Sequence, residues 1–378
     1  MGRIAVQSEN KTDLLVVGSG IVGMACALAG VRRGWSVQVI EREALSIGAS
    51  IRNFGFVTVT GQGSGTTWRR ARRSRDVWAE VAPQAGIAVL HQGLYVPAQR
   101  PEAVAVLHAL LQTEAGAELQ WLSPQALQQR APQLAHADIL GALYSPHELR
   151  IESRVAVEQL RQWLAAQGVR FQMQCAVNAV QSGRVQAGAQ AWHAERIVVC
   201  PGPDLRTLFP EVFARRAARL CQLQMLRVRP PQGYVLPAAV MSDLSLVRYR
   251  GYAELPAAAA LEQRLRQEQA QELSDGIHLI AVQSADGSLV VGDSHHYAAS
   301  PAPFASDAVD ERILAEMQRV LRLAHYRVEE RWTGVYPVAS ADAFYDTVLP
   351  AVQVLSVTSG TGMSTAFALA EECLEQGV

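Results

Sequence analysis

The most constraining feature of the chain is Gly18-Ser19-Gly20-Ile21-Val22-Gly23, set between an apolar run and a helix-favouring one. Residues 13–17 (Asp-Leu-Leu-Val-Val) are too few for a helix and rich in branched side chains, which predicts a buried parallel strand. Residues 21–33 carry Met, Ala and Leu and stop at Gly34, a natural helix end. Residues 35–40 form a second strand that closes at Glu41. In such a unit Gly18 permits the tight turn, Gly20 removes the side chain that would block a pyrophosphate, and Gly23 lets the helix lie close on the sheet. Phosphates then sit on the free N–H groups at the helix start, around Ile21 and Val22. Glu41 is placed to accept ribose hydroxyls, and its charge disfavours a ribose 2′-phosphate. A dinucleotide site is therefore expected.

At about 150 residues per domain, a chain of 378 residues suggests two to three domains. Apolar residues make up 49% and charged ones 18%, enough for a large core and against global disorder. A net charge of −1 argues against a nucleic-acid or polybasic membrane-surface protein. The local cluster Arg69, Arg70, Arg72, Arg73 and Arg75 lacks interleaved aromatics and reads as a solvated helix face. Lys11 is the only lysine, which removes lysine Schiff-base chemistry from consideration. The cysteines, Cys26, Cys175, Cys200, Cys221 and Cys373, are scattered and form no CxxC pair, so a reducing cytosol is expected, with neither a disulfide framework nor structural zinc. No long uninterrupted apolar window predicts a transmembrane segment.

Helices are expected over residues 66–82, 154–167 and 257–273, and strands over 171–180 and 196–200. Asp275–Gly276 opens a hairpin, 278–283 and 288–292, with its turn at Asp286–Gly287. The chain ends in a strand (352–357), a second glycine-rich turn (Ser359-Gly360-Thr361-Gly362-Met363-Ser364) and a helix (364–376). A second helix N-terminus suits negative charge developing at a flavin. Two such turns at opposite ends of the chain suit one long ligand lying extended between them.

With these motifs in place, the sequence resembles the D-amino-acid oxidase superfamily of FAD oxidoreductases, the group of glycine and sarcosine oxidases. The resemblance spans nearly the whole chain and rests on Gly18–Gly23 with Glu41, on Gly48–Gly55, on Ile197–Gly202, on Gly334–Asp342 and on Gly360–Met363. It implies an α/β fold: a Rossmann-type FAD-binding domain built from discontinuous segments, 1–90, 150–217 and 325–378. An α+β substrate domain with a mainly antiparallel sheet would take 91–149 and 218–324. Besides the first motif, the implied cofactor contacts are Arg42, Ala49, Ser50, Asn53, Phe54, Gly55, Val177, Cys200, Gly202, Gly334, Gly360, Thr361, Gly362, Met363 and Ser364. No second GxGxxG or redox cysteine pair is present, so the organic substrate is expected to be the electron donor. The stretch 335–342, where sarcosine-oxidase-like members carry a flavin-linked cysteine just ahead, has no Cys, which implies non-covalent FAD.

The amino-acid-oxidising members hold the substrate carboxylate with an Arg where this chain has Tyr336, and Gly360–Ser364 also lacks Arg. An anion is then expected elsewhere, at Arg52, at Arg248 or Arg250 around Tyr249, at His295-His296, or at Arg331. If Arg248 and Arg250 alternate on a strand they share one face, and only one of the two adjacent histidines can face a pocket. That histidine pair offers no ordered zinc ligand set. Guanidinium and imidazole donors suit a phosphonate, and the patterns Arg52–Gly55, Gly292–Tyr297 and Gly360–Met363 resemble the clade linked to aminophosphonate degradation. The expected reaction is oxidation of a small amine, 2-aminoethylphosphonate or its N-methyl form, by hydride transfer to flavin N5. Tyr336, Met363 and Asn53 would stand at the reaction centre, and oxygen or another acceptor would take the electrons. An amino-acid or sarcosine-type oxidase, and a non-catalytic flavin subunit of a larger complex, are the alternatives.

Overall fold

The computed structural model describes residues 12–323 and 325–376; Lys11 and the outermost residues of the expected domain segments lie outside them. The strand expected at the start is Thr12–Val17, and Leu14, Leu15 and Val16 are completely buried in it. Val37–Ile40 and Gln190–Val199 flank it in parallel, with Arg170–Gln172 and Val352–Val357 outside them, also parallel. Ala343–Leu349 closes one edge antiparallel. The central strands are buried over the stretches that read as apolar runs, Leu14–Val16, Ile197–Val199 and Val352–Val357. The helix Ile21–Arg32 leaves the carboxyl end of the first strand, and the helix Gly362–Glu375 leaves the carboxyl end of Val352–Val357. A Cβ on Gly362 would lie 3.4 Å from Ile21 Cγ2, so the two helix starts are neighbours.

The second sheet has ten strands and is antiparallel except where Ala239–Met241 runs beside Val89–Ala98. Its long members are Gly141–Ile151, Arg219–Arg229 and Arg327–Val338. Two segments cross the expected domain boundaries. Arg327–Val338, assigned from sequence to the FAD domain, pairs along Arg219–Arg229, and Phe56–Val57 pairs with Leu149–Arg150. In each case the pairing partner, which the sequence does not show, decides the sheet.

Three local expectations are corrected. The strand expected over 171–180 splits into Arg170–Gln172 and Ala179–Gln181. Between them the N–H groups of Gln174 and Cys175 turn to the carbonyls of Glu43 and Glu41, beyond the end of the neighbouring strand. The helix expected over 257–273 breaks at Gln269, whose buried amide bridges Arg100 and Glu316 at 2.8 Å each. Arg248 and Arg250 are not on a strand: a 3₁₀ turn, Asp243–Val247, leads into them, and the N–H groups of Arg248 and Tyr249 both return to the carbonyl of Ser245.

The helix Thr66–Gln84 carries the arginine cluster and uses most of it internally. Arg70 and Arg73 bind Glu372 and Glu371 of the C-terminal helix, and Arg72 binds Glu118. On the inner side, Trp78 donates to the carbonyl of Met363 at 2.8 Å and meets Phe367 edge to face. The cluster therefore fastens the helix that begins at the second glycine turn.

Candidate active site

One cavity of about 480 Å³ runs from the first glycine turn, past the second, to the face of the antiparallel sheet. Its two ends are built differently.

At the glycine end the chain approaches itself as closely as backbone permits. Gly18 has φ +103°, and a Cβ there would lie 2.4 Å from the Cys200 carbonyl oxygen; one on Gly23 would lie 1.9 Å from the Gly18 carbonyl oxygen. No side chain fits at either place. Glu41 accepts from the N–H and hydroxyl of Ser19 at 2.7 and 2.9 Å, and from the N–H of Glu43 at 3.0 Å. The carboxylate thus ties the end of the second strand to the glycine turn. The Ile21 N–H reaches Ser50 Oγ at 2.9 Å, which brings the loop 48–55 over the helix start. Within that loop the Asn53 amide donates to the Ala49 carbonyl and accepts from the Gly55 N–H, at 2.8 and 2.7 Å. Asn53 lines the cavity, but its amide is engaged in closing its own loop.

At the second turn Gly360 has φ +75°, and a Cβ there would lie 2.9 Å from the Tyr336 ring. The helix after it starts without a side-chain cap at Thr361, leaving first-turn N–H groups open. Ser364 Oγ instead accepts from the N–H of Thr58 at 2.9 Å. Tyr336 is buried between this turn and the far end of the cavity, and burial raises its phenol well above the usual range.

The far end is lined by Arg248, Tyr249, His278, Asp293, His295 and Tyr297. The half-buried Arg248 donates to Tyr297 Oη at 3.0 Å and has no carboxylate within 4.0 Å among the described residues. Burial opposes its charge, but Tyr336, Tyr297 and Asp293 outweigh that and hold its proton more tightly than usual. His278 and His295 stack 5.2 Å apart, and Tyr249 meets His278 edge to face. His278 Nε2 lies 3.2 Å from Asp293 Oδ1, and His295 Nε2 lies 3.7 Å from Oδ2. Burial, only partly countered by Arg248, pushes the Asp293 carboxyl up to about 7. Burial, then the field of Arg248, holds both imidazoles well below their usual range.

Most residues expected from sequence line this cavity: Gly20–Gly23, Ala49, Ser50, Arg52–Phe54, Cys200, Gly202, Arg248, Tyr249, His295, Gly334, Tyr336 and Gly360–Ser364. Arg250 is also at the wall, but its guanidinium pairs with Glu254 and Asp342. Arg52 is exposed at the rim. Gly18, Glu41 and Gly55 stand behind the wall as supports, Arg42 pairs with Asp204, and Val177 packs among the buried apolar residues around Leu15. Two substrate candidates fall away. His296 is exposed and faces Asp275, while its neighbour His295 turns inward to the Gly276 carbonyl. Arg331 is also exposed and is held by Asp310 at 2.9 Å. Sequence reasoning missed His278 and Asp293 as site residues. The regular hairpin register, with Ile280 opposite Gly292, would set His278 opposite Ser294; a one-residue slip beyond the ladder instead makes His278 and Asp293 exchange backbone hydrogen bonds, and no signal in the sequence announces that slip.

The cavity fits an extended dinucleotide: two helix starts with free N–H groups face it, and glycines stand where a Cβ would meet backbone or the Tyr336 ring. Among curated proteins, comparison by sequence finds no match. Among solved structures, glycine oxidase from Bacillus cereus is similar at 16% identity, with a TM-score of 0.77 over 97% of this chain and 94% of that one. L-proline dehydrogenase from P. horikoshii is similar at 15% identity, TM-score 0.78, over 97% and 93%. L-alpha-glycerophosphate oxidase from Mycoplasma pneumoniae, with FAD bound, follows at 14%, TM-score 0.75, over 97% and 95%. The family model described as DAO, FAD dependent oxidoreductase, matches residues 13–376. The chain belongs to this DAO family of FAD-dependent oxidoreductases.

Proposed function

We propose that this oxidoreductase acts on a small amine that also carries an anion, an aminophosphonate such as 2-aminoethylphosphonate or its N-methyl form. The observation that carries this reading is Arg248, a guanidinium in the cavity wall bonded to a tyrosine hydroxyl and to no carboxylate among the described residues. A planar guanidinium with an adjacent hydroxyl can donate to two or three oxygens of one phosphonate. The position expected from the resemblance for a carboxylate-binding Arg holds Tyr336, whose ring packs on Gly360.

Bound FAD supplies the acceptor for the two electrons released as the C–H bond beside nitrogen is oxidised. The glycine turns and the loop 48–55 would hold its phosphates and ring system. The helix beginning at Gly362 would place positive potential beside the isoalloxazine, where negative charge develops. Arg248 would orient the substrate by its anionic end, and Tyr336 and Met363 would wall off water between that end and the coenzyme. A coenzyme held without a covalent link is supported by the lack of Cys in 335–342 and by Cys200, which among the described cysteines alone lines the cavity and lies beside Gly18 at the glycine end. The substrate would leave as an imine that water hydrolyses to phosphonoacetaldehyde and ammonia, or methylamine for the N-methyl form, and bound FAD would require an external electron acceptor, molecular oxygen or another.

The test is anaerobic mixing of the purified holoprotein with 2-aminoethylphosphonate, its N-methyl derivative, glycine and sarcosine in separate experiments. Bleaching of the flavin band by the phosphonates is expected. Bleaching by the two carboxylates alone overturns the substrate assignment.

A further inference from the structure

In the substrate end of the cavity three proton acceptors meet with no donor between them. His295 Nδ1 lies 2.9 Å from the Gly276 carbonyl oxygen, a hydrogen bond only if Nδ1 carries the hydrogen. In the neutral ring Nε2 then holds a lone pair. His278 is fixed the same way. Its Nδ1 lies 3.3 Å from Ser245 Oγ, and the Ser245 hydroxyl donates its own hydrogen to the Leu279 carbonyl at 3.2 Å. Oγ therefore accepts from Nδ1, and Nε2 of His278 is again a lone pair. Both lone pairs face the Asp293 carboxylate, at 3.2 and 3.7 Å.

All three residues are buried, and Asp293 Oδ1 has no hydrogen-bond partner among the described residues. An unpartnered buried acceptor is costly. The surrounding titratable groups do not satisfy it. Arg248 donates to Tyr297, while Tyr249 and Tyr336 present ring faces or edges to the imidazoles. Burial raises the phenols of Tyr249 and Tyr336 and pushes the Cys221 thiol up to about 11, so all three stay neutral. His296 and Asp275 pair with each other behind His295. Converging lone pairs beside a carboxylate are completed by a species that brings both positive charge and hydrogens.

We infer that Asp293, flanked by Nε2 of His278 and of His295, seats the amino group of the substrate and takes its proton. The inference rests on the reading that the substrate is an amine with an anionic group. An N–H bond of the ammonium breaks, its electron pair stays on nitrogen, and the proton forms an O–H bond on the Asp293 carboxylate. The amine is left neutral, with the lone pair that loss of hydride from the adjacent carbon requires. Arg248 and Asp293 then form a positive and a negative pole matched to a zwitterion. A divalent cation is a poorer occupant, because the Arg248 guanidinium already acts on the same imidazoles and carboxylate.

The experiment compares 2-aminoethylphosphonate with ethylphosphonate, which keeps the anion and lacks the amine, on wild-type and Asp293→Asn holoprotein. Affinity for the amine comes from rapid anaerobic mixing, and affinity for ethylphosphonate from the flavin difference spectrum. Asp293→Asn is expected to weaken the amine by about 10–100-fold and to leave ethylphosphonate within about twofold. The wild-type rate of flavin reduction should rise with pH through a single ionisation, whether or not the variant folds. Equal loss for both probes, or a wild-type rate flat with pH, overturns the assignment of Asp293. A stoichiometric metal that is absent from the variant overturns it in favour of a cation site. If neither probe affects the wild-type flavin, the substrate reading itself fails, and this inference with it.

Discussion

The two ends of the cavity solve opposite problems. The glycine end is made of main chain: N–H groups at two helix starts, turns in which a Cβ would meet a carbonyl oxygen, and one carboxylate, Glu41, tied to Ser19. The other end is made of side chains that carry or could carry charge, Arg248, His278, Asp293 and His295, all walled by the antiparallel sheet and its loops. A coenzyme common to many reactions can be held by backbone, which offers the same groups in any sequence that makes the turn. A particular substrate needs side chains, placed singly.

The comparison breaks most visibly at the glycine end. Gly23→Ala puts a methyl group 1.9 Å from the Gly18 carbonyl oxygen. Overpacking of about 1–3 kcal/mol at this turn is expected to leave protein with less than about a tenth of its flavin, measured by absorbance after desalting. Full flavin content would show that the helix start is not pressed on the turn.

The next largest effect separates stability from chemistry. Arg100 and Asp243 form a buried ion pair at 2.9 Å in the core of the substrate half, far along the chain from either glycine turn. Arg100→Ala leaves that carboxylate uncompensated and should cost about 3–5 kcal/mol in denaturant unfolding. The rate of flavin reduction in the folded fraction should be unchanged.

At the substrate end, Arg248→Met should weaken apparent affinity for the phosphonate by roughly 1.5–3 kcal/mol, with flavin content unaffected. The pH dependence has a defined sign. Asp293 titrates at about 7, so below that pH it is a neutral acid that cannot take a proton, and flavin reduction should slow. The same raised carboxyl makes the folded state hold a proton that the unfolded chain releases. Its contribution to stability is therefore largest below the unfolded carboxylate range and is lost as pH rises to about 7. Arg331→Ala is the smallest expected effect: the side chain is exposed and held by Asp310, and reduction kinetics should not change.

The same contrast explains what could be read from the sequence. Gly18, Gly20, Gly23 and the turn at Gly360 were legible because a backbone requirement selects one residue type, glycine, at fixed spacing. The substrate end depends on which strands and turns meet, and residue types alone do not say this. Arg248 reaches the cavity from a turn rather than from the expected strand, and His278 and Asp293 are brought together where the hairpin slips by one residue beyond its regular ladder. Arg331 looked equivalent to Arg248 until Asp310, from the helix Asp307–Leu321, was found beside it. Arg327–Val338 shows the same limit, since that strand takes its sheet from a partner about a hundred residues earlier in the chain.

The most direct measurement compares two amines that differ in their anionic end, 2-aminoethylphosphonate and propylamine, in anaerobic reduction of the wild-type and Arg248→Met holoproteins. A cavity with a coenzyme end and a charged substrate end predicts fast bleaching by the phosphonate, little by propylamine at the same concentration, and loss of that preference in the variant. Equal bleaching by both amines in the wild-type protein would contradict it.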